Sequence, residues 1–401
     1  MDFKPTNAKQ LQECVAYAAA EGEALRVQGL GTKSGLGRPT APARTLDLSA
    51  LAGDVEYEPE ELVLTCNAAT KMRDILLLLE QRAQMLAFEP PDLGVLYGIA
   101  EADSGSIGGA LAANLGGPRR IKMGSARDHF LGFSGVSGRG EEFKAGSKVV
   151  KNVTGYDLPK IVAGAMGTLA VLDRVTVKVM PAGAKTRSVL VFGLDPAKAV
   201  AAMADALNSP WEVSGAAYLP KRAAARSGVD HVAQASASVI AIRVEGTSVS
   251  VAARCEALRR SLGAFGPVEE LHTMRSLKLW REIRDVAALL PDRNAAIWRV
   301  SVAPTRGPAV AAAASDADWF CDWGGGLVWL AVPASGDAQA SIIRASFAEG
   351  HATLMRAPDA LRLAVPVFEP PSAAVAALNR GVKAQFDPKG ILNPGRLSEA
   401  Y

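Results

Sequence analysis

The chain has 401 residues, enough for two domains that each bury a core. Apolar residues make up 49% of it, and 44 Lys and Arg stand against 41 Asp and Glu for a formal net charge of +3, so the charge gives no argument for nucleic acid. Cys14, Cys66, Cys255 and Cys321 share no C-x-x-C spacing and His129, His231, His272 and His351 are dispersed, which disfavours a disulfide framework, a zinc site or an iron–sulfur cluster held by this chain alone.

Buried free thiols in a reducing compartment are the better reading of the cysteines. The start, MDFKPTNAKQ, has no apolar core after a basic segment and does not read as a signal peptide. No uncharged apolar run approaches the roughly 18 residues needed to span a bilayer. A cytoplasmic location is expected, with peripheral attachment at the inner membrane through a partner left open.

Thr6 or Asn7 caps a predicted helix that runs to about Ala20 with Leu11, Cys14, Val15 and Ala18 on its apolar side, and Gly22 ends it. A strand over 24–28 empties into Gly29-Leu30-Gly31-Thr32-Lys33-Ser34-Gly35-Leu36-Gly37. Such a loop can turn successive N–H groups into one concavity and bind an anion such as a pyrophosphate; a flexible surface loop is the plain alternative. Ser34 stands where the dinucleotide fingerprint G-x-G-x-x-G needs its third glycine, and a nicotinamide-binding Rossmann domain is disfavoured.

Strands are predicted over 45–48, 55–57 and 62–67, then a helix from a Thr70 cap to about Arg82, then a strand over 85–88 stopped by Pro90 and Pro91. Ser104–Gly117, SGSIGGALAANLGG, is a second glycine cluster. Its small residues let a planar or phosphorylated ligand approach the backbone, or else make a tight helix–helix contact. Gly124 and Arg127-Asp128 follow it.

Lys148–Val179 reads as a strand, a glycine turn, a short helix, a second glycine turn and a long strand. Asp157 before Leu158-Pro159 suits a helix cap over direct ligand contact, Gly164 and Gly167 bracket the turn, and 171–179 alternates as a half-exposed strand should.

Beyond Met180-Pro181-Ala182-Gly183 the composition changes. Strands are predicted over 188–192, 215–219, 238–244, 268–272, 296–302, 326–332 and 353–356, and helices over 197–207, 249–262, 276–290, 309–314 and 338–348. The run 307–317 is read in part as a mobile loop. The order is not strict βαβ, which points to an antiparallel or mixed sheet with helices on one face. Phe386-Asp387-Pro388-Lys389-Gly390-Ile391-Leu392-Asn393-Pro394-Gly395-Arg396 closes the chain as a turn-rich, non-helical tail.

Taken in order, Gly29–Gly35, Ser106–Gly109, Arg127-Asp128, Asn152–Leu158, Gly164–Val171 and the tail resemble the p-cresol methylhydroxylase (vanillyl-alcohol oxidase) superfamily of FAD-binding proteins. Ala170 departs from its usual glycine after Leu169. Together with Leu279-Trp280-Arg281-Glu282-Ile283-Arg284 and Gly350–Arg356, the pattern is most similar to the family of smaller FAD-binding subunits of bacterial glycolate oxidases. The resemblance implies an α+β protein. It has a two-subdomain FAD-binding domain of p-cresol methylhydroxylase type over 1–183, an α+β cap with a mostly antiparallel sheet over 184–375, and a tail over 376–401 that returns to the FAD domain.

The implied cofactor is FAD, non-covalent because the first loop lacks the Gly-Gly-His of covalently attached relatives; no metal is implied. Implied contacts are Gly29, Leu30, Gly31, Thr32, Lys33, Ser34, Gly35, Pro91, Ser106, Gly108, Gly109, Asn114, Gly124, Ser125, Arg127, Asp128, Gly155, Tyr156, Gly164, Gly167, Thr168, Val171, Asn393 and Arg396. Implied partners are a larger FAD-containing catalytic subunit and an iron–sulfur subunit, the substrate of the complex being a small 2-hydroxy acid.

The catalytic relatives carry H-x-G-D-G-N in the cap; the nearest segment here is Glu349-Gly350-His351-Ala352. A 2-hydroxy acid needs an arginine for its carboxylate and a base for its hydroxyl proton. Arg284 and Arg299 are candidates for the first task and His351 for the second, against ordinary roles as solvated, salt-bridged or structural residues. Three functions stay open: a flavin-bearing accessory subunit, a stand-alone FAD-dependent 2-hydroxy-acid dehydrogenase, and a flavin-free scaffold.

Overall fold

The computed structural model describes residues 2–40, 44–99, 105–148 and 155–399. Ser104 and Asn152–Thr154 of the glycine motifs, with the first strand expected in the 148–179 stretch, lie outside these residues. The chain divides into two compact units. Unit 1 gathers Met1–Gly116, Gly124–Pro181 and Pro370–Tyr401; unit 2 gathers Gly117–Met123 and Ala182–Glu369. The units differ from the expected domains in three places, one of them being Ala182 and Gly183, which fall in unit 2. Gly117–Met123 belongs to unit 2 because Arg119 forks onto Glu245 (2.9 and 2.7 Å) and Trp323 Nε1 donates to Gly117 O at 3.1 Å. The tail starts earlier than 376 because Ser372 caps the helix Ala373–Phe386.

In unit 1 the helix Ala8–Glu21 is capped by Asn7, whose Oδ1 accepts from Gln10 N–H at 2.9 Å, and stopped by Gly22 at φ 68. Strands β1 (Leu25–Gln28) and β2 (Arg44–Asp47) form a parallel pair. Then come β3 (Glu56–Glu58), β4 (Val63–Asn67), the helix Met72–Glu80, β5 (Gln84–Met85), the helix Ile107–Ala113, β6 (Phe130–Ser137), β7 (Glu142–Gly146), the helix Leu158–Val162, β8 (Ala170–Lys178) and β9 (Met180–Pro181). An antiparallel sheet runs β3-β4-β8-β6-β7, and β5 pairs with β9.

Several local expectations are corrected. Thr70 does not cap the helix after it; its hydroxyl donates to Gly53 O at 3.0 Å and Lys71 is the cap residue. The strand expected over 85–88 stops at Met85, with Glu89 already at φ 50 before the two prolines. The β6–β7 hairpin went unread because its five glycines over 132–146 resemble a loop. Asp157 precedes the helix Leu158–Val162 but makes no side-chain cap bond.

The long strand is not half-exposed. β8 lies at the centre of its sheet, and its register against β6 shifts between Ser134 and Gly135, so that Asp173 bulges out. A bulge inverts the alternation after it. Leu172, Val175 and Val177 consequently share one core with Ile75, Leu79, Phe88 and Ile107, while Val171 joins another with Leu11, Val15 and Leu25. Thr176 is buried as well, its Oγ1 2.9 Å from that of Thr65.

Unit 2 contains β10 (Lys185–Phe192), the helix Pro196–Leu207, β11 (Gly215–Leu219), β12 (Val239–Gly246), the helix Ser248–Leu262, β13 (Val268–Leu271), the helix Thr273–Arg284, β14 (Ala296–Val302), the helix Gly307–Ala313, β15 (Asp318–Asp322), β16 (Leu327–Val332), the helix Ala340–Ala345 and β17 (Gly350–Arg356). All eight strands pair antiparallel in the order β13-β10-β12-β11-β15-β16-β14-β17. Val189, Val191, Met203, Ile240, Ile242, Cys255, Leu258, Trp298 and Val300 share its core, each large side chain gaining about 1.5–3 kcal/mol from burial.

Here too the structure departs from expectation. β15 was unread, and the helix predicted over 276–290 ends at Arg284 because Val286 turns left-handed at φ 60. The run read in part as a mobile loop begins as the helix Gly307–Ala313. Helices cover both faces of the sheet: Ser188, whose side chain points opposite to Val189, accepts from Trp280 Nε1 at 2.7 Å and meets Ser276 Oγ at 2.7 Å on the helix Thr273–Arg284.

Candidate functional site

The end of β1 delivers the first glycine loop to a cavity of about 610 Å³. Gly29, Leu30, Gly31, Thr32, Lys33 and Ser34 line it, joined by Ser106, Gly109, Asn393 and Arg396. A second cavity of about 540 Å³ is lined by Gly108, Gly167, Ala170 and Leu172. Val27, Gly29, Ser106, Gly109, Ala112 and Met166 line both. Four stretches far apart in sequence thus meet at one place.

Each glycine there has its own reason. Gly31 is at φ +74, a conformation that side chains disfavour. A Cβ on Gly29 would fall 2.8 Å from Ser106 Oγ, and one on Gly35 would fall 2.5 Å from the Tyr97 ring, so Gly35 is spent on packing and lines neither cavity. Gly108 is pressed against Ala68, 2.7 Å from where its Cβ would lie, and its N–H donates to Ala68 O at 2.8 Å. Gly109 is different. Its N–H donates to Ser106 Oγ at 3.2 Å, and its bare face looks onto both cavities.

Lys33 is one cation of the site, beside Arg26 and Arg396, which also line the first cavity. Burial pushes the Lys33 ammonium down to about 8, with Asp92 partly opposing the shift. Its Nζ lies 2.7 Å from where a Cβ on Gly105 would be and 3.7 Å from that of Gly109, which sets the cation between the two glycine segments. The tail completes the wall: Arg396 Nη2 donates to Lys33 O at 2.7 Å, while Asn393 accepts from Val27 N–H at 2.9 Å and donates to Met166 O at 2.7 Å.

Other residues singled out in the sequence stand elsewhere. Pro91, Asn114, Gly164 and Thr168 line neither cavity. Asn114 accepts from Arg127 N–H at 2.8 Å, Gly164 N–H donates to Leu111 O at 3.1 Å, and Thr168 Oγ1 donates to Ala165 O at 2.7 Å. Gly124 turns into a capping box in which Asp128 Oδ2 accepts from Ser125 N–H and Oγ at 2.7 and 2.9 Å. Gly155 and Tyr156, the latter 89% exposed, lie off the cavities, and Val171 is buried in a core.

Arg26, Val27, Gln28, Leu36, Ala112, Ala113 and Met166 also line the first cavity and were not among the expected contacts. Ala112 and Ala113 had a readable signal, since they lie three and four residues beyond Gly109 on one helix face. Met166 had none, its φ of 51 being set by the turn around it.

Of the substrate-side candidates, Arg284 is taken up by a bidentate pair with Asp285, 2.7 Å in both bonds. Arg299 on β14 and His351 on β17 lie on neighbouring strands of unit 2.

A family model described as FAD binding domain matches residues 1–146. Over 390 residues the chain is 32% identical to the glycolate oxidase subunit GlcE of Escherichia coli (strain K12), covering 97% of each. It belongs to the GlcE family. FAD is therefore its cofactor, and it is an FAD-dependent oxidoreductase by kinship. It shares a part with the D-lactate dehydrogenase of Archaeoglobus fulgidus, 28% identical over 53% of this chain and 44% of that one. The crystal structure of p-cresol methylhydroxylase with substrate bound has the same fold, with a TM-score of 0.73 over 99% of this chain and 89% of that one at 14% identity. Among the described residues no helix is long and apolar enough to cross a membrane.

Proposed function

We propose that this GlcE-family chain is the non-covalent FAD-binding subunit of a glycolate (2-hydroxy acid) oxidase or dehydrogenase complex, supporting electron transfer from a larger catalytic flavin subunit toward an iron–sulfur subunit. The end-to-end similarity to a glycolate oxidase subunit carries this reading. The cavity residues fit the cofactor. Backbone from 29–34 and the bare Gly109 offer close approach to a flat, phosphorylated molecule, and Lys33 offers a cation to its pyrophosphate. When bound, FAD supplies the two-electron acceptor. Among the described residues neither cavity is lined by His or Cys, in keeping with non-covalent attachment.

The test begins with the purified full chain, which should be yellow or take up FAD, and should not pass electrons from glycolate or D-lactate to a dye until its partners are added. Rapid reduction of the dye by the chain alone would overturn the accessory role, and a colourless chain that cannot be reconstituted would overturn the cofactor site. Gly109→Val should lower FAD content at least about tenfold by filling the cavity, whereas Gly31→Val confounds ligand loss with backbone strain. Unchanged flavin in the Gly109 variant would remove that helix from the site. An iron–sulfur protein should co-purify with the tagged chain.

A further inference from the structure

Unit 2 holds a second polar constellation, on the face of its sheet turned away from its core. Trp298, Val300 and Val302 of β14 enter the core, so Arg299 and Ser301 face the other way. The register sets Trp329 of β16 opposite Arg299 on one side, and Thr353 of β17 opposite it on the other, with His351 opposite Ser301. The register between β14 and β17 also shifts one pair away, between Ile297 and Trp298, a device that re-aims side chains.

Charge is out of balance there. The partly buried Arg299 guanidinium lies over Trp323 and Trp329, 5.0 and 6.0 Å from the ring centroids, and Arg120 lies over the same Trp323 ring at 4.9 Å. Asp322 is the carboxylate whose field reaches Arg299, and its Oδ1 accepts Trp323 N–H at 2.7 Å. Arg299 Nη2 is cut off from solvent and has no hydrogen-bond partner among the described residues. Burial and Arg120 together hold Arg299 down to about 10, still cationic at neutral pH. Among the described residues, two cations against one carboxylate leave a surplus that a single negative charge would balance, and an unmet N–H on a planar fork suits a carboxylate.

We propose that Arg299 anchors a small-carboxylate site on this face of the unit 2 sheet, holding the carboxylate of a 2-hydroxy acid with the hydroxyls of Ser301 and Thr353 beside its 2-hydroxyl group. Trp323 and Trp329 bound the site and restrict it to small acids, and a monoanion matches the surplus better than a phosphate dianion. The charge argument stands on unit 2 alone; the choice of a 2-hydroxy acid rests on the function proposed above.

The test titrates the purified full chain with glycolate, acetate and the neutral isostere glycolamide at constant ionic strength, followed by tryptophan fluorescence and ligand-detected NMR. Glycolate and acetate should saturate, and glycolamide should bind about a hundredfold more weakly. Arg299→Met should weaken glycolate at least about tenfold with flavin content unchanged, and Arg299→Lys should recover part of the loss. Equal binding of glycolate and glycolamide would overturn the site whether or not the variants fold, as would an Arg299→Met chain that binds glycolate normally. A colourless chain that still discriminates glycolate from glycolamide would overturn the cofactor reading while supporting this one.

Discussion

Lys33 is where a single residue most directly tunes the cofactor cavity. Its ammonium is buried and titrates near 8, against an ordinary value of 10.5. Between those values the unfolded chain binds more protons than the folded one, so the free protein gains stability as pH rises through that window, and below it the full cost of burying the charge is present. An anionic ligand beside Lys33 reverses the preference by favouring the ammonium. FAD affinity should accordingly be flat below pH 8 and fall by up to about tenfold per pH unit above it. Titrating the apoprotein with FAD between pH 7 and 9 checks this. Lys33→Met should bind more weakly at pH 7 and lose the slope; parallel curves for the two proteins would refute the role.

At the scale of an element, the C-terminal helix is tied down by one buried pair. Most of Ala373–Phe386 is exposed, yet Lys383 is buried and its Nζ donates to Asp387 Oδ2, Thr168 O and Leu392 O at 2.6, 2.7 and 3.0 Å. Asp387 in turn accepts from Ile391 and Leu392 N–H at 3.0 and 2.8 Å. That shapes the tail so that Leu392 pairs with Leu25 and Asn393 reaches Val27 and Met166. Lys383→Met would strand a buried carboxylate and should cost about 3–5 kcal/mol in denaturant unfolding, with weaker FAD retention because Asn393 loses its seat. Adding Asp387→Leu should recover part of the stability. If Lys383→Met unfolds at the wild-type denaturant concentration, the pair does not hold the tail.

At the scale of the whole molecule, the cofactor cavity draws on both ends of the chain. Hydrogen exchange with and without added FAD should slow together in 29–36, 106–113 and 391–396, and a tail whose exchange ignores FAD would exclude it from the site. Much of this was legible beforehand. The order of glycine motifs pointed to the fold and to FAD through its resemblance to the p-cresol methylhydroxylase superfamily, and the glycines themselves marked backbone that must lie close to a ligand or to another strand and so cannot carry side chains. Most predicted strands and helices also lie within a few residues of those observed, since apolar periodicity reflects which face is buried.

Residue by residue, the reading was less sure. Gly108 and Gly109 are adjacent in one motif, but Gly108 packs on Ala68 and lines the second cavity alone, whereas Gly109 lines both, and only the direction of the helix tells them apart. Val171 was expected at the ligand and lies in a core, because the bulge at Asp173 depends on the partner strand β6. Asp157 was expected to cap a helix and makes no such bond. Arg284 is lost to Asp285, its sequence neighbour, once the helix ends between them.

The sequence by itself determined that glycine-lined backbone meets a ligand, since that constraint acts on residue type and local spacing, and its resemblance to a known superfamily supplied the two-part α+β fold and FAD. Tertiary structure alone decided which glycines face the cavities, why Lys33 titrates low, how Lys383 holds the tail and why Arg299 has an unmet N–H. Each of those depends on desolvation and on partners far away in the chain, and neither is written in a residue's neighbours.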